Sequence, residues 1–166
     1  MTTWVRTPIA CLVLVLTMTS SAVASGKAPK LYDSSRDPQK DLLAAEAQAK
    51  AEHKYVLLDV GGDWCPGCVA LSNWFDSEPR IHELMAHNFV VVRVAVGLFN
   101  SQKKFLKQFP RGNVYPHLVV LHADGSVLRD VPDDALFGAK KEKLTGDEQQ
   151  QHVFEYFKSV SPSSLQ

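Results

Sequence analysis

Tyr55-Val56-Leu57-Leu58-Asp59-Val60, followed two residues later by Asp63-Trp64-Cys65-Pro66-Gly67-Cys68, is the stretch on which the reading of this chain turns. The first six residues are short, apolar and β-branched enough for a buried strand. The second six open a helix expected over Cys65 to Phe75, with Pro66 at its first position, where a backbone N–H has no partner to lose. Two cysteines two residues apart at such a junction exist as a dithiol or as a small-ring disulfide. The first turn of the helix turns its unpaired N–H groups and positive dipole end towards the first sulfur. That field favours thiolate over thiol, so Cys65 is the expected nucleophile and Cys68 its resolving partner.

Outward from this junction the pattern alternates helices and strands. Asp37-Pro38 reads as an N-cap and first turn ahead of a helix through Asp41 to Lys54. Ser77-Glu78-Pro79 restarts a short helix reaching about His87. Phe89 to Val96 is almost continuously apolar, as central strands of α/β sheets are. A brief helix over Lys103 to Phe109 precedes a turn at Pro110 to Asn113. His117 to His122 and Ser126 to Val131 flank Ala123-Asp124-Gly125, and Asp-Gly between two apolar runs predicts a hairpin. Thr145-Gly146-Asp147-Glu148 matches a capping box, with Val153, Phe154, Phe157 and Val160 marking a helical face behind it. A parallel strand pair with a helical crossover, joined to an antiparallel hairpin and covered by helices, predicts an α/β domain with a central mixed sheet.

The N-terminal residues read separately. Arg6 precedes the apolar run Ile9 to Leu16, and Ala22-Val23-Ala24 fits the small-x-small rule, so residues 1–24 are expected to be a signal peptide cleaved after Ala24. The run is about half of the ~20 residues that span a bilayer. Cys11 belongs to this leader, which leaves Cys65 and Cys68 as the cysteines of a mature chain with no disulfide framework. Residues 25–36 read as an extended lead-in, 37–160 as one domain and 161–166 as a polar tail. Eighteen basic and 18 acidic residues balance. That balance, with no basic stripe, argues against nucleic acid as a partner.

On these residues the chain resembles the thioredoxin-like superfamily, from about Lys40 to Lys158. Within it, the chain is most similar to small exported thioredoxin-like proteins and to the periplasmic C-terminal domain of the thiol:disulfide interchange reductase DsbD. The residues that carry the likeness are Leu58-Asp59, the Asp63 to Cys68 segment, Ser77-Glu78-Pro79 with Phe89-Val90, and Tyr115-Pro116-His117 ahead of Asp124-Gly125. The resemblance implies a thioredoxin fold and a redox-active Cys65–Cys68 disulfide. It also implies a cis-proline at Pro116 that presents backbone to a substrate chain. Trp64, Pro66, Gly67, Tyr115 and Pro116 are then the expected substrate-binding residues, Tyr115 replacing the smaller residue often found before that proline. Asp59 matches the buried acid that takes a proton from the resolving cysteine, a task that burial suits by raising a carboxyl pKa. Arg93 stands where thioredoxin has a buried lysine, and an Asp59–Arg93 pair is expected to hold the acid ionised.

The function implied is an exported, periplasmic or secreted, thiol–disulfide oxidoreductase that needs no cofactor and works as a monomer. Protein thiols and disulfides are its expected partners. Without a histidine between the cysteines, the reductase direction is favoured, with a membrane thiol:disulfide interchange reductase as the implied electron donor. The competing reading is a soft-metal module, with Cys65 and Cys68 as Cu(I) ligands and His117 nearby. A lone pair supplies only half the ligands of a structural zinc site. His117 itself is expected to be hydrogen-bonded at a strand start, turned away from Pro116 by strand alternation.

Overall fold

The computed structural model describes residue 1 and residues 30–97, 102–138 and 146–162. The expected signal peptide (Met1 apart), Thr145 of the expected capping box and most of the expected tail lie outside these residues. Ten elements follow one another: α1 (Pro38–Glu52), β1 (Tyr55–Gly61), α2 (Pro66–Ser77), α3 (Pro79–Asn88), β2 (Phe89–Ala95), α4 (Lys103–Leu106), β3 (His117–Leu121), β4 (Val127–Asp130), α5 (Asp133–Phe137) and α6 (Gly146–Ser159). The four strands form one mixed sheet in the order β2-β1-β3-β4. β1 runs parallel to β2 and antiparallel to β3, and β3 runs antiparallel to β4. This is the α/β class with helices flanking a central mixed sheet that the sequence implies.

Strand alternation divides the core in two. Val56, Leu58 and Val60 point to one face, where they meet Leu42, Ala45 and Ala49 of α1 and Phe105 of α4. Leu57 points to the other, with Phe75, Ile81, Met85, Val153 and Phe157 from α2, α3 and α6. Because both faces of β1 and β3 are covered, their sequences are apolar apart from Asp59 and the opening His117. Asp59 shares the Leu57 face, so an acid enters the layer between the sheet and α2. The edge strand β4 is largely exposed and carries Arg129 and Asp130, charges that discourage further strand pairing.

Helix boundaries follow local chemistry. The Asp37 carboxylate accepts from Gln39 N and Lys40 N, capping α1. The helix stops at Glu52 rather than Lys54, because His53 turns left-handed at φ 56° and Lys54 N bonds back to Ala49 O. Glu78 caps α3 by accepting from Ile81 N at 2.9 Å. α4 ends at Leu106 rather than Phe109; three-residue bonds from Gln108 N and Phe109 N finish it, since a residue before proline disfavours helix. Gly125 supplies the positive φ (81°) of the hairpin turn, and Asp124 accepts from Ser126 N. α5 was not expected, because five residues after Val131-Pro132 are too few for a helical period to show. Residues 30–36 also depart from the extended lead-in: they bend and turn, and Tyr32 within them is 3% exposed.

Candidate active site

β1 ends at Gly61 and α2 begins at Pro66, so the connecting turn hangs Cys65 at the helix tip. Cys65 is the N-cap of α2, in extended conformation, and its Sγ accepts from Cys68 N at 3.2 Å. The two cysteines form a disulfide with their Cα atoms 5.3 Å apart. They differ in access: Cys65 is 7% exposed and Cys68 is sealed at 0%. Pro66 and Gly67 between them are exposed.

Around this tip the fold gathers the residues named from the sequence. The Tyr115–Pro116 bond is cis. A Cβ on Gly67 would stand 3.8 Å from Pro116 Cδ, which places the helix tip beside the proline loop. Trp64 and Tyr115 meet edge to face with ring centroids 5.7 Å apart, and both are exposed. The Trp64 indole N–H donates to Val96 O at 2.6 Å, which fixes the ring's orientation across the end of β2. Asp63 is exposed and accepts from Tyr32 N at 3.1 Å. A largely apolar cleft of about 270 Å³ runs from Gly67 and Pro116 along Leu71 and Trp74 to Leu136 and Val153. Trp74 therefore lines a surface, whereas its neighbour Phe75 lies in the core. His117 is not directed to the sulfurs in its hydrogen bonding: its Nε2 faces Pro110 O at 3.2 Å, with Asp130 Oδ1 3.7 Å away.

Asp59, on the strand that leads into the disulfide turn, is 1% exposed. Its Oδ1 accepts from the Tyr32 hydroxyl at 2.8 Å and its Oδ2 from Ser72 Oγ at 2.9 Å. Burial pushes its carboxyl above the usual aspartate range; the hydrogen bonds from Tyr32 and Ser72 and the charge of Arg93 oppose that shift, and the charge of Asp76 adds to it. The expected Asp59–Arg93 pair forms only at long range, and burial outweighs it in setting the proton affinity of Asp59. The two residues sit opposite each other in the β1–β2 register, yet Arg93 Nε remains 3.9 Å from Asp59 Oδ2. The guanidinium instead holds Asp76 through Nη2 at 2.9 and 3.1 Å. Arg93 pulls the Asp59 pKa downward, against the larger upward effect of burial.

Three residues of this network were not foreseen. Ser72 lies one helical turn beyond Cys68, and that i, i+4 spacing was a usable signal. Asp76 continues the same face by another four residues. Tyr32 carries no signal, because irregular chain has no period to show which side chain turns inward.

The fold and the cysteine pair together define a thiol–disulfide oxidoreductase of the CXXC type. The sequence profile of a family described as thioredoxin-like matches residues 37–123, just over half of the chain, and the chain belongs to that family. Among solved structures, it is similar to a disulphide isomerase from Xylella fastidiosa Temecula1, at 26% identity and a TM-score of 0.66, over 81% of this chain and 98% of that one. It is also similar to the C-terminal domain of DsbD from Neisseria meningitidis in its oxidised form, at 20% identity and a TM-score of 0.48, over 74% and 95%. A third likeness is Trxlp from Edwardsiella tarda EIB202, at 24% identity and a TM-score of 0.42, over 69% and 91%. No curated protein sequence matches the chain.

Proposed function

We propose that this protein is an exported enzyme that exchanges disulfides with protein substrates, running in the reductase direction on electrons from a membrane thiol:disulfide interchange reductase. The observation that carries the exchange chemistry is the unequal placement of the two sulfurs, Cys65 at the helix tip and Cys68 sealed behind it. In the reduced enzyme Cys65 thiolate attacks one sulfur of a substrate disulfide. A Cys65–substrate disulfide forms, and the other substrate sulfur leaves as thiolate and takes a proton from solvent. Cys68 gives its proton to Asp59 and attacks Cys65 Sγ. The mixed disulfide breaks, the second substrate sulfur leaves and is protonated, and the enzyme is left with the Cys65–Cys68 disulfide. Two electrons have passed to the substrate.

Trp64, Tyr115, Gly67 and Pro116 supply the surface against which the substrate chain lies. Export rests on the leader read in residues 1–24, and the direction on the absence of a histidine between the cysteines. Among the described residues no helix is long and apolar enough to cross a membrane. Copper binding is the less favoured reading: the two sulfurs that would hold the ion are joined as a disulfide, and His117 is engaged with Pro110 O.

Insulin reduction driven by dithiothreitol tests the exchange. Wild type is expected to accelerate it and Cys65→Ser to abolish the acceleration, while Cys68→Ser accumulates the mixed disulfide. Equilibration in glutathione buffers tests the direction: a potential below about −230 mV supports a reductase, and one near −120 mV makes the protein an oxidant.

A further inference from the structure

The segment before the domain contributes a side chain to the buried end of the site. Tyr32 is 3% exposed and packs in one cluster with Cys65, Cys68 and Ala95. Its backbone N–H is tied to Asp63, two residues before Cys65, and its hydroxyl reaches Asp59 at 2.8 Å. Gly61 makes room for this meeting: a Cβ there would stand 2.8 Å from Cys68 Sγ and 3.2 Å from Tyr32 Cζ. Gly61 and Asp59 lie two apart on β1 and so face the same side. Ring, resolving sulfur and acid therefore occupy one buried space.

We propose that Tyr32 is a positioning residue of the thiol–disulfide site, its hydroxyl holding the Asp59 carboxyl in place to receive the proton that Cys68 gives up. This rests on the exchange function above and names the group that supports its proton step. The proton passes from Cys68 Sγ to the Asp59 carboxylate, and the Cys68 thiolate then forms the bond to Cys65 Sγ as the substrate sulfur departs. Tyr32 neither gains nor loses a proton overall. It donates to Oδ1 while Ser72 donates to Oδ2, so the carboxylate is gripped at both oxygens. The Tyr32 hydroxyl is itself hard to ionise, held well above the usual phenol range by burial and by the neighbouring Asp59 charge, so it remains a donor. Among the described residues, two charged side chains act on Asp59. β2 contributes Arg93, α2 contributes Asp76 beyond Ser72, and β3 places apolar Leu118 opposite.

The test is single-turnover reduction of insulin by the reduced full-length protein, followed from acid to neutral pH. Asp59→Asn identifies the limb of the profile that belongs to Asp59 by removing it. Tyr32→Phe keeps the ring and deletes the donor to the carboxylate, so that limb is expected to move up by about one pH unit, a roughly tenfold loss of rate at a fixed pH on the limb. On the Asp59→Asn background the same change is expected to move nothing, which a merely structural role would not reproduce. A Tyr32→Phe profile that overlays wild type overturns the proposal. Carbon-13 NMR of the wild type supplies a measurement that needs no variant. The Tyr32 ring carbon bearing the hydroxyl is expected to titrate with the Asp59 carboxyl, and a Tyr32 signal blind to that titration overturns the proposal as well. Wild type that fails to reduce insulin at any pH removes the exchange function instead, a separate result.

Discussion

Arg93 holds Asp76 more closely than Asp59: Nη2 lies 2.9 and 3.1 Å from the two Asp76 oxygens, while Nε stays 3.9 Å from Asp59 Oδ2. Direct opposition of Asp59 and Arg93 in the parallel register does not decide the pairing. The long arginine side chain carries its charge out to the rim, where Asp76 is half exposed and the guanidinium keeps part of its hydration. The hydrogen bonds to Asp59 come from neutral hydroxyls and its charged partner stays at long range, so burial prevails in its proton affinity.

That balance makes stability depend on pH. Folded Asp59 binds its proton more tightly than an unfolded aspartate, because burial raises its pKa. Its contribution is complete below the unfolded value, near pH 4, and is lost as pH rises through the folded value. Asp59→Asn has no such loss. It is expected to gain stability over wild type with rising pH, by about 1.4 kcal/mol for each unit of the window. Urea midpoints of both proteins from acid to neutral pH check this, and parallel curves would reject it.

Asp76→Asn is expected to move Asp59 the other way from Tyr32→Phe. The substitution removes a negative charge that raises the Asp59 pKa and releases Arg93 to turn inward. The Asp59 carboxyl titration, read by carbon-13 NMR, is expected to shift to lower pH. An unchanged or higher midpoint would show that Arg93 does not respond to its rim partner.

Gly61→Ala puts a methyl group 2.8 Å from Cys68 Sγ and 3.1 Å from its Cβ, and the disulfide to Cys65 restrains that sulfur from turning away. A loss of about 1 to 3 kcal/mol is expected, as for other overpacked cores, together with faster reduction of the disulfide by dithiothreitol. Thermal unfolding and thiol release kinetics measure the two effects. A variant as stable as wild type would mean that β1 and α2 can separate at no cost.

Phe157 of α6 is fully buried and meets Phe75, Phe89 and Tyr156 edge to face, with centroids 5.5 to 5.7 Å apart. Its ring joins α6 to the sheet and to α2, so Phe157→Ala is expected to cost about 3 to 5 kcal/mol. The shift in urea midpoint at unchanged slope reports it. A loss under about 1 kcal/mol would indicate that α6 is not part of the cooperative core.

By itself the sequence determined what depends on neighbours a few residues apart. Asp37-Pro38 and Cys65-Pro66 open helices because capping and the missing proline N–H act within one turn. Phe89 to Ala95 forms a strand because its residues are apolar in succession, and Asp124-Gly125 reverses the chain because glycine accepts a positive φ. Only the tertiary structure decided the partners across the fold. Tyr32 reaches Asp59 from 27 residues away and Arg93 selects Asp76 over Asp59, outcomes of packing, hydration and side-chain reach that leave no periodic trace in the chain. Local chemistry wrote the reactive pair into the sequence, and long-range burial chose the groups that surround it.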